Sequence, residues 1–262
     1  MTTSAAAAAA HVIAVASGKG GVGKSTVAVN LGVALAQTGL RVGLVDADVY
    51  GPNVPLMLGL TRRTPSKSIS LARASGARRT PVERFGMKVM SAQFLIAEDQ
   101  PIAFDATLVR LLVQGLMVDT NWGELDVMLI DLPPGTADLQ QGLSRSFALT
   151  GALIVVTPQD VAHLDGRKAI AMFRQSDVPI IGGVENMAGL VCPHCSEPID
   201  VFPRVPDERS IWSAGVDLLA RIPLEPAVSA SAEAGTPIVV GDPDGEVAAA
   251  FLELAARLDI KA

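Results

Sequence analysis

Cysteine is almost missing from this chain: there are two in 262 residues, Cys192 and Cys195, three positions apart. That scarcity excludes the multi-disulfide framework of small secreted domains, and it puts any four-thiolate site beyond the reach of a single copy. No run of 18 consecutive apolar residues occurs, so no segment reads as a membrane-spanning helix. Positive charge is also in deficit. The formal net charge of −6 argues against nucleic acid or another polyanion as a general partner. The opening Met-Thr-Thr-Ser and six alanines carry no basic residue ahead of the first apolar run. Residues 1–10 therefore read as a disordered alanine-rich tail rather than a leader, and the expected location is cytoplasmic. No low-complexity linker or internal repeat divides the remainder, so residues 11–262 are expected to form one domain.

Apolar residues are abundant, at 49% of the chain. They fall in short runs at Val12–Ala16, Arg41–Val45, Lys88–Met90, Val127–Ile130, Ala152–Thr157, Ile180–Glu185 and Leu218–Ile222. Helical spacing recurs between them, near 24–37, 105–118, 137–147, 160–175, 207–214 and 245–258. Strands that are continuously apolar are buried on both faces. The expected fold is therefore α/β, a doubly wound and mostly parallel sheet flanked by helices. Functional loops then belong at the carboxyl ends of the strands. Residues 61–84 stand apart, with seven cations (Arg62, Arg63, Lys67, Arg73, Arg78, Arg79, Arg84) against Glu83 alone. They read as a surface loop, or as a docking patch for something acidic.

The first strand runs into Ser17-Gly-Lys-Gly-Gly-Val-Gly-Lys-Ser-Thr26. Gly18, Gly23, Lys24 and Ser25 fit the phosphate-binding pattern G-x-x-x-x-G-K-[ST] between a strand and a helix. Gly18, Gly20, Gly21 and Gly23 permit torsions that turn backbone N–H groups, including that of Val22, toward an anion. The following helix adds the positive end of its dipole, with Thr26 in its first turn. Lys24 would reach the β- and γ-phosphates of ATP, and the Ser25 hydroxyl would ligate Mg²⁺.

Carboxylates close two other strands. Asp131 ends the Val127–Ile130 run and precedes Leu-Pro-Pro-Gly-Thr, which suits a carboxylate that helps hold Mg²⁺ beside a switch loop. Asp46 and Asp48 end the second run two residues apart; strand-end aspartates also serve as helix caps, and Asp46 taken alone fits either role. Both cysteines lie in Cys192-Pro-His-Cys195, within a loop at 191–196. The spacing fits a redox dithiol, half a zinc site or half an iron–sulfur site. A two-fold dimer would supply four thiolates, and His194 offers a weaker alternative ligand.

Lys19 adds a second lysine to the phosphate loop, which resembles the deviant Walker A loop of the MinD/ParA/nitrogenase-iron-protein ATPases. In that family this lysine crosses a dimer interface to the partner's nucleotide, so Lys19 is expected to act in trans. The resemblance narrows with Asp46-Ala-Asp-Val-Tyr-Gly-Pro-Asn53, Met57–Leu60, Trp122–Asp126, Asp131–Thr136, Thr157–Asp160, Glu185–Met187, Val191–Cys195, Ile222–Pro226 and Gly235–Ile238, all in order. Together these resemble the Mrp/ApbC family of iron–sulfur cluster carrier ATPases. The resemblance implies a weak ATPase that works as a homodimer and holds a bridging cluster, usually [4Fe–4S], on Cys192 and Cys195 of both copies. It implies partners among cluster scaffolds and apo iron–sulfur clients, with no nucleic acid or membrane. It further implies that Asp48 activates the attacking water, Asp46 lies near the magnesium shell and Asn186 contacts adenine. The chain departs from the family at Ile102–Thr107 and Phe202–Glu208, where relatives carry other motifs. A [2Fe–2S] cluster or Zn²⁺ would fit the same thiolates, leaving a zinc-bridged regulatory dimer open. A MinD/ParA-like positioning ATPase would leave the dithiol unexplained, and the acidic stretch Glu246–Ala262 lacks the basic face of a membrane-binding helix.

Overall fold

The apolar runs all become strands, and their pairing explains why they do not alternate. The computed structural model describes residues 9–60, 78–95, 106–135, 140, 142, 148–192 and 194–261. Its elements are β1 (Ala9–Ala16), α1 (Lys24–Gln37), β2 (Val42–Asp46), α2 (Val54–Met57), β3 (Val82–Arg84) and β4 (Met87–Ser91). There follow α3 (Ala106–Val118), β5 (Leu125–Asp131), β6 (Gly151–Val156), α4 (Asp160–Gln175), β7 (Ile180–Asn186), β8 (Leu190–Val191) and β9 (Pro198–Ile199). The chain closes with β10 (Leu218–Ile222), α5 (Pro226–Glu233), α6 (Ile238–Gly241) and α7 (Glu246–Arg257).

Eight strands form one sheet in the order β10-β7-β6-β1-β5-β2-β4-β3. Every pairing is parallel except β3 with β4. All residues of β5 and β6 are buried, which requires cover on both faces. Helix α1 packs on β1, β2 and β5 with α7 beside it, and α4 packs on β6 and β7. The ring of Phe251 from α7 and that of Phe173 from α4 are fully buried in this core, and truncating either to Ala should cost about 3–5 kcal/mol. The successive strands β5 and β6 lie on opposite sides of β1. The winding reverses there, and a crevice opens at the carboxyl end of β1, where the phosphate loop begins.

Several expectations need correction. β1 starts at Ala9, which pairs with Leu125, so Ala9 and Ala10 belong to the sheet rather than to a tail; residues 1–8 lie outside the described residues. The expected helix at 207–214 is two short 3₁₀ turns, Asp207–Arg209 and Trp212–Ala214, because Ser210 between them is extended. The basic segment is not all loop. Arg79 bridges to Thr120, and Val82–Arg84 is an edge strand, while 61–77 lie outside the described residues. The helix expected at 137–147 and the departure at 102–107 fall mostly outside them too.

Candidate functional site

The phosphate loop is shaped by what its glycines touch. A Cβ on Gly18 would lie 2.1 Å from the backbone carbon of Asp165, so α4 backs directly onto the loop. Gly23 takes φ +81°, and a Cβ there would lie 2.2 Å from the Asn186 amide nitrogen. That amide donates to the Val22 carbonyl at 2.8 Å, tying the loop to the end of β7. Gly23 caps α1 without any side-chain hydrogen bond, and the first turn holds no acidic residue. The leading N–H groups of α1 are thus left for an anion.

Lys24 and three carboxylates meet beside the loop. The Lys24 ammonium donates to Asp131 Oδ1 at 2.6 Å, with both side chains buried. Asp131 is in register with Asp46 across β2 and β5. The Asp46 carboxylate accepts the Ser91 hydroxyl at 2.8 Å and the Asp48 N–H at 3.2 Å. Burial pushes its carboxyl well above the usual range; Asp131 pushes the same way, against the Ser91 hydroxyl and Lys24. Burial also raises Asp48, against the Lys24 charge. The second Asp131 oxygen is buried with no hydrogen-bond partner among the described residues. An orphaned carboxylate oxygen facing a second carboxylate is a donor set that suits a hard divalent cation, so Asp131, Asp46 and Ser25 fit Mg²⁺.

Lys19 is half-buried, and its ammonium donates to Gln159 Oε1 at 3.1 Å within the same chain. It is therefore not a solvated loop-tip lysine. Beside α1 lies a cleft of about 300 Å³, lined among others by Thr26, Asn53, Asn186, Met187, Val228 and Phe251. Its lining is mostly apolar, as a flat base requires. Met187 holds φ +59°, a conformation rare for a side-chain-bearing residue, where β7 meets the cleft. The cleft's outer walls are α2 and α5, and the turns that follow these two helices meet backbone to backbone: a Cβ on Gly235 would lie 2.3 Å from Gly59 Cα.

The cysteines sit elsewhere, on the turn of the β8–β9 hairpin. Cys192 N–H donates to Glu197 C=O and Ser196 N–H to Cys192 C=O, both at 2.9 Å. The N–H groups of His194 and Cys195 point at the Cys192 sulfur and hold its thiol below the usual range. Cys195 is exposed. Among the described residues no set of three ligating side chains gathers here, so this chain offers the loop's own donors alone.

The sequence matches the family described as ParA, the NUBPL iron-transfer P-loop NTPases, over residues 8–259. The chain belongs to this family. The iron-sulfur cluster carrier protein of Aquifex aeolicus is 44% identical over 246 residues, covering 94% of this chain and 66% of that protein. The chain thus spans about two thirds of that relative's length. A mitochondrial protein of Arabidopsis thaliana, described as an iron-sulfur protein required for NADH dehydrogenase, is 43% identical over 93% of this chain and 76% of its own. Among solved structures, an ADP-bound nucleotide-binding protein of Archaeoglobus fulgidus matches with TM-score 0.75 and 33% identity, covering 94% and 93% of the two chains. The cell division ATPase MinD of Pyrococcus furiosus matches with TM-score 0.72 and 27% identity over 95% and 98%. The iron-transfer P-loop NTPase family is thus legible from the motifs, and the mostly parallel α/β fold from the continuous apolar runs.

Within this family fold, four site residues carry no sequence signal of their contacts. Ser91 holds Asp46 only because β4 lies beside β2, a pairing 45 residues apart in sequence. Gln159 was part of a recognised motif, but its grip on Lys19 depends on how β6 and the loop align. Ser229 and Ala232 line the cleft from α5, a helix that the polar-alanine stretch Pro226–Glu233 did not announce.

Proposed function

We propose that this P-loop NTPase is a cytoplasmic iron–sulfur cluster carrier. In this reading it hydrolyses ATP slowly as a homodimer, holds one cluster between two protomers and passes it to apo-proteins. The observation that carries the reading is the hairpin turn: two thiols, one with its sulfur already met by two backbone N–H groups, form half of a four-thiolate site. The names of the 40–44% identical relatives support the same cargo. The cluster is [4Fe–4S] in this reading, with [2Fe–2S] or Zn²⁺ as the competing occupants of the same sulfurs.

On the nucleotide side, the N–H groups of Gly18 to Thr26 and the Lys24 ammonium receive the phosphates. Pairing with Asp131 keeps both buried charges compensated until they arrive. Mg²⁺ held by Ser25, Asp131 and Asp46 would supply neutralisation of phosphoryl charge. Asp48 orients the attacking water, and burial, which raises its carboxyl, makes it a stronger proton acceptor than a solvated aspartate. Asn186 and Met187 set the cleft against adenine. Lys19 leaves Gln159 when a second copy docks and reaches that copy's nucleotide, as a trans-acting cationic finger does.

Anaerobic reconstitution of the Cys192→Ala, Cys195→Ala double variant tests this. It should take up no cluster while binding ATP as the wild type does, because hairpin and phosphate loop are separate. Full cluster retention would sink the carrier reading. Recovery of zinc without iron or sulfide from the wild type would convert it to a zinc-bridged dimer.

A further inference from the structure

The cysteine hairpin lies in the segment that joins β7 to β10, which has two roots on the rest of the fold. The incoming root is the end of β7, where Glu185 precedes Asn186; the outgoing root is the Ser210–Ala214 turn. Both roots meet one side chain of α4, that of His163, which is fully buried. Its Nδ1 accepts the N–H of buried Ile211 at 3.1 Å. Its Nε2 lies 3.9 Å from Glu185 Oε1 and has no hydrogen-bond partner among the described residues. The Trp212 ring packs edge-on against the imidazole, with centroids 5.6 Å apart. One turn further along α4, Arg167 donates to the carbonyls of Glu208 and Ser210 and to the Ser213 hydroxyl. The same helix begins beside Gln159, which holds Lys19, so nucleotide loop and cysteine segment share one support.

We propose that His163 is a positioning residue that fastens the outgoing root of the cysteine segment to α4 when its imidazole is neutral and releases it when protonated. The two states exclude each other. A neutral ring with its proton on Nε2 can accept from Ile211; an imidazolium is a donor at both nitrogens and cannot. Protonation therefore orphans a buried N–H at the outgoing root while drawing Nε2 toward Glu185 at the incoming one. The charged groups around the ring are Glu185 and Asp160, which favour the proton, and Arg167, which opposes it; Arg221 of β10 already pairs with Glu185 at 2.9 Å. Burial is the largest influence and lowers the imidazole, so the fastened state prevails at neutral pH. The consequence for cargo rests on the carrier reading above, whereas the fastening itself does not.

Hydrogen exchange of the full apo chain separates the two. The Ile211 amide, corrected for intrinsic exchange, should lose about tenfold or more of its protection as pH falls from roughly 7.5 to roughly 5, below the ordinary imidazole range because burial lowers His163, with β5 amides unchanged. His163→Asn supplies an acceptor that does not titrate in this range and should flatten that profile. His163→Leu should leave Ile211 poorly protected throughout; if that variant fails to fold, the Asn comparison still decides. A wild-type profile flat with pH, or one falling equally in His163→Asn, overturns the proposal. Iron release from loaded protein to a chelator, compared at the same two pH values in wild type and His163→Asn, then reads the effect on cargo. Loss of the exchange effect refutes the fastening, whereas an intact exchange effect in a protein that never loads iron refutes the carrier reading alone.

Discussion

Replacing Lys24 with Met should destabilise the apo protein far more than loss of a surface charge would, and by an amount that depends on pH. The substitution keeps most of the stem and removes the ammonium that lies 2.6 Å from Asp131. What remains is Asp131 facing Asp46 in register, both wholly buried and with no cation between them. Breaking a buried pair from one side typically costs about 3–5 kcal/mol, against about 0–1 for an exposed pair. Asp46 sets the pH dependence. Its carboxyl is raised in the folded state, so its ionisation destabilises the fold as pH rises, and removing Lys24 takes away a group that opposes that rise. The loss should therefore be largest near pH 8 and smaller near pH 5.5. Lys24→Met with Asp131→Asn removes both partners and should recover about half or more of the loss. Urea unfolding midpoints of the single and double variants at the two pH values, read at constant m, measure all of this. A loss below about 1 kcal/mol, or one unchanged by pH and by the second substitution, would show that the pair is not buried and coupled as described.

Other outcomes follow from the same geometry. Lys19→Ala should leave ATP affinity largely intact and cut hydrolysis by as much as about 10³–10⁵, whereas Lys24→Ala should weaken binding itself; equal affinity losses by calorimetry would make Lys19 an ordinary phosphate ligand of its own chain. Hydrogen bonds from Arg41 hold the Asp126 carboxyl at about 2, so its stabilising contribution is present above about pH 4 and lost as pH falls toward 2. Asp126→Asn should flatten that part of the acid limb in a melting series, and an unchanged limb would rule the pair out as its cause. Gly235→Ala forces a Cβ into Gly59 at a positive φ of 71° and should cost about 2–4 kcal/mol while loosening the nucleotide cleft. A variant as stable as wild type, with unaltered ATP affinity, would contradict that contact.

Legibility in the sequence tracks how local each feature is. The strands were readable because burial on both faces writes itself as continuous apolar residues, as in Val127–Ile130. The places of the phosphate loop between β1 and α1, of Asp131 at the end of β5 and of the thiol pair on its loop were readable from spacing along the chain. Partners joined by the sheet were not. Ser91 reaches Asp46 across neighbouring strands, and His163 touches residues 22 and 48 positions away. Helical spacing at 207–214 misled, because Ser210 breaks the run to meet Arg167, a tertiary contact that local pattern does not contain. The β3 edge strand was hidden in a segment whose charge density reads as loop.

At the core of the proposed function, one cluster is shared by two copies of this chain. In that reading each copy gives Cys192 and Cys195 to the shared cluster, so cluster binding would also be association. Iron and sulfide counted on anaerobically reconstituted protein, with mass measured by light scattering on the same peak, test it most directly. The expected result is one cluster per two chains in a dimer that shifts toward monomer when iron is chelated without ATP. A cluster-loaded monomer would contradict it.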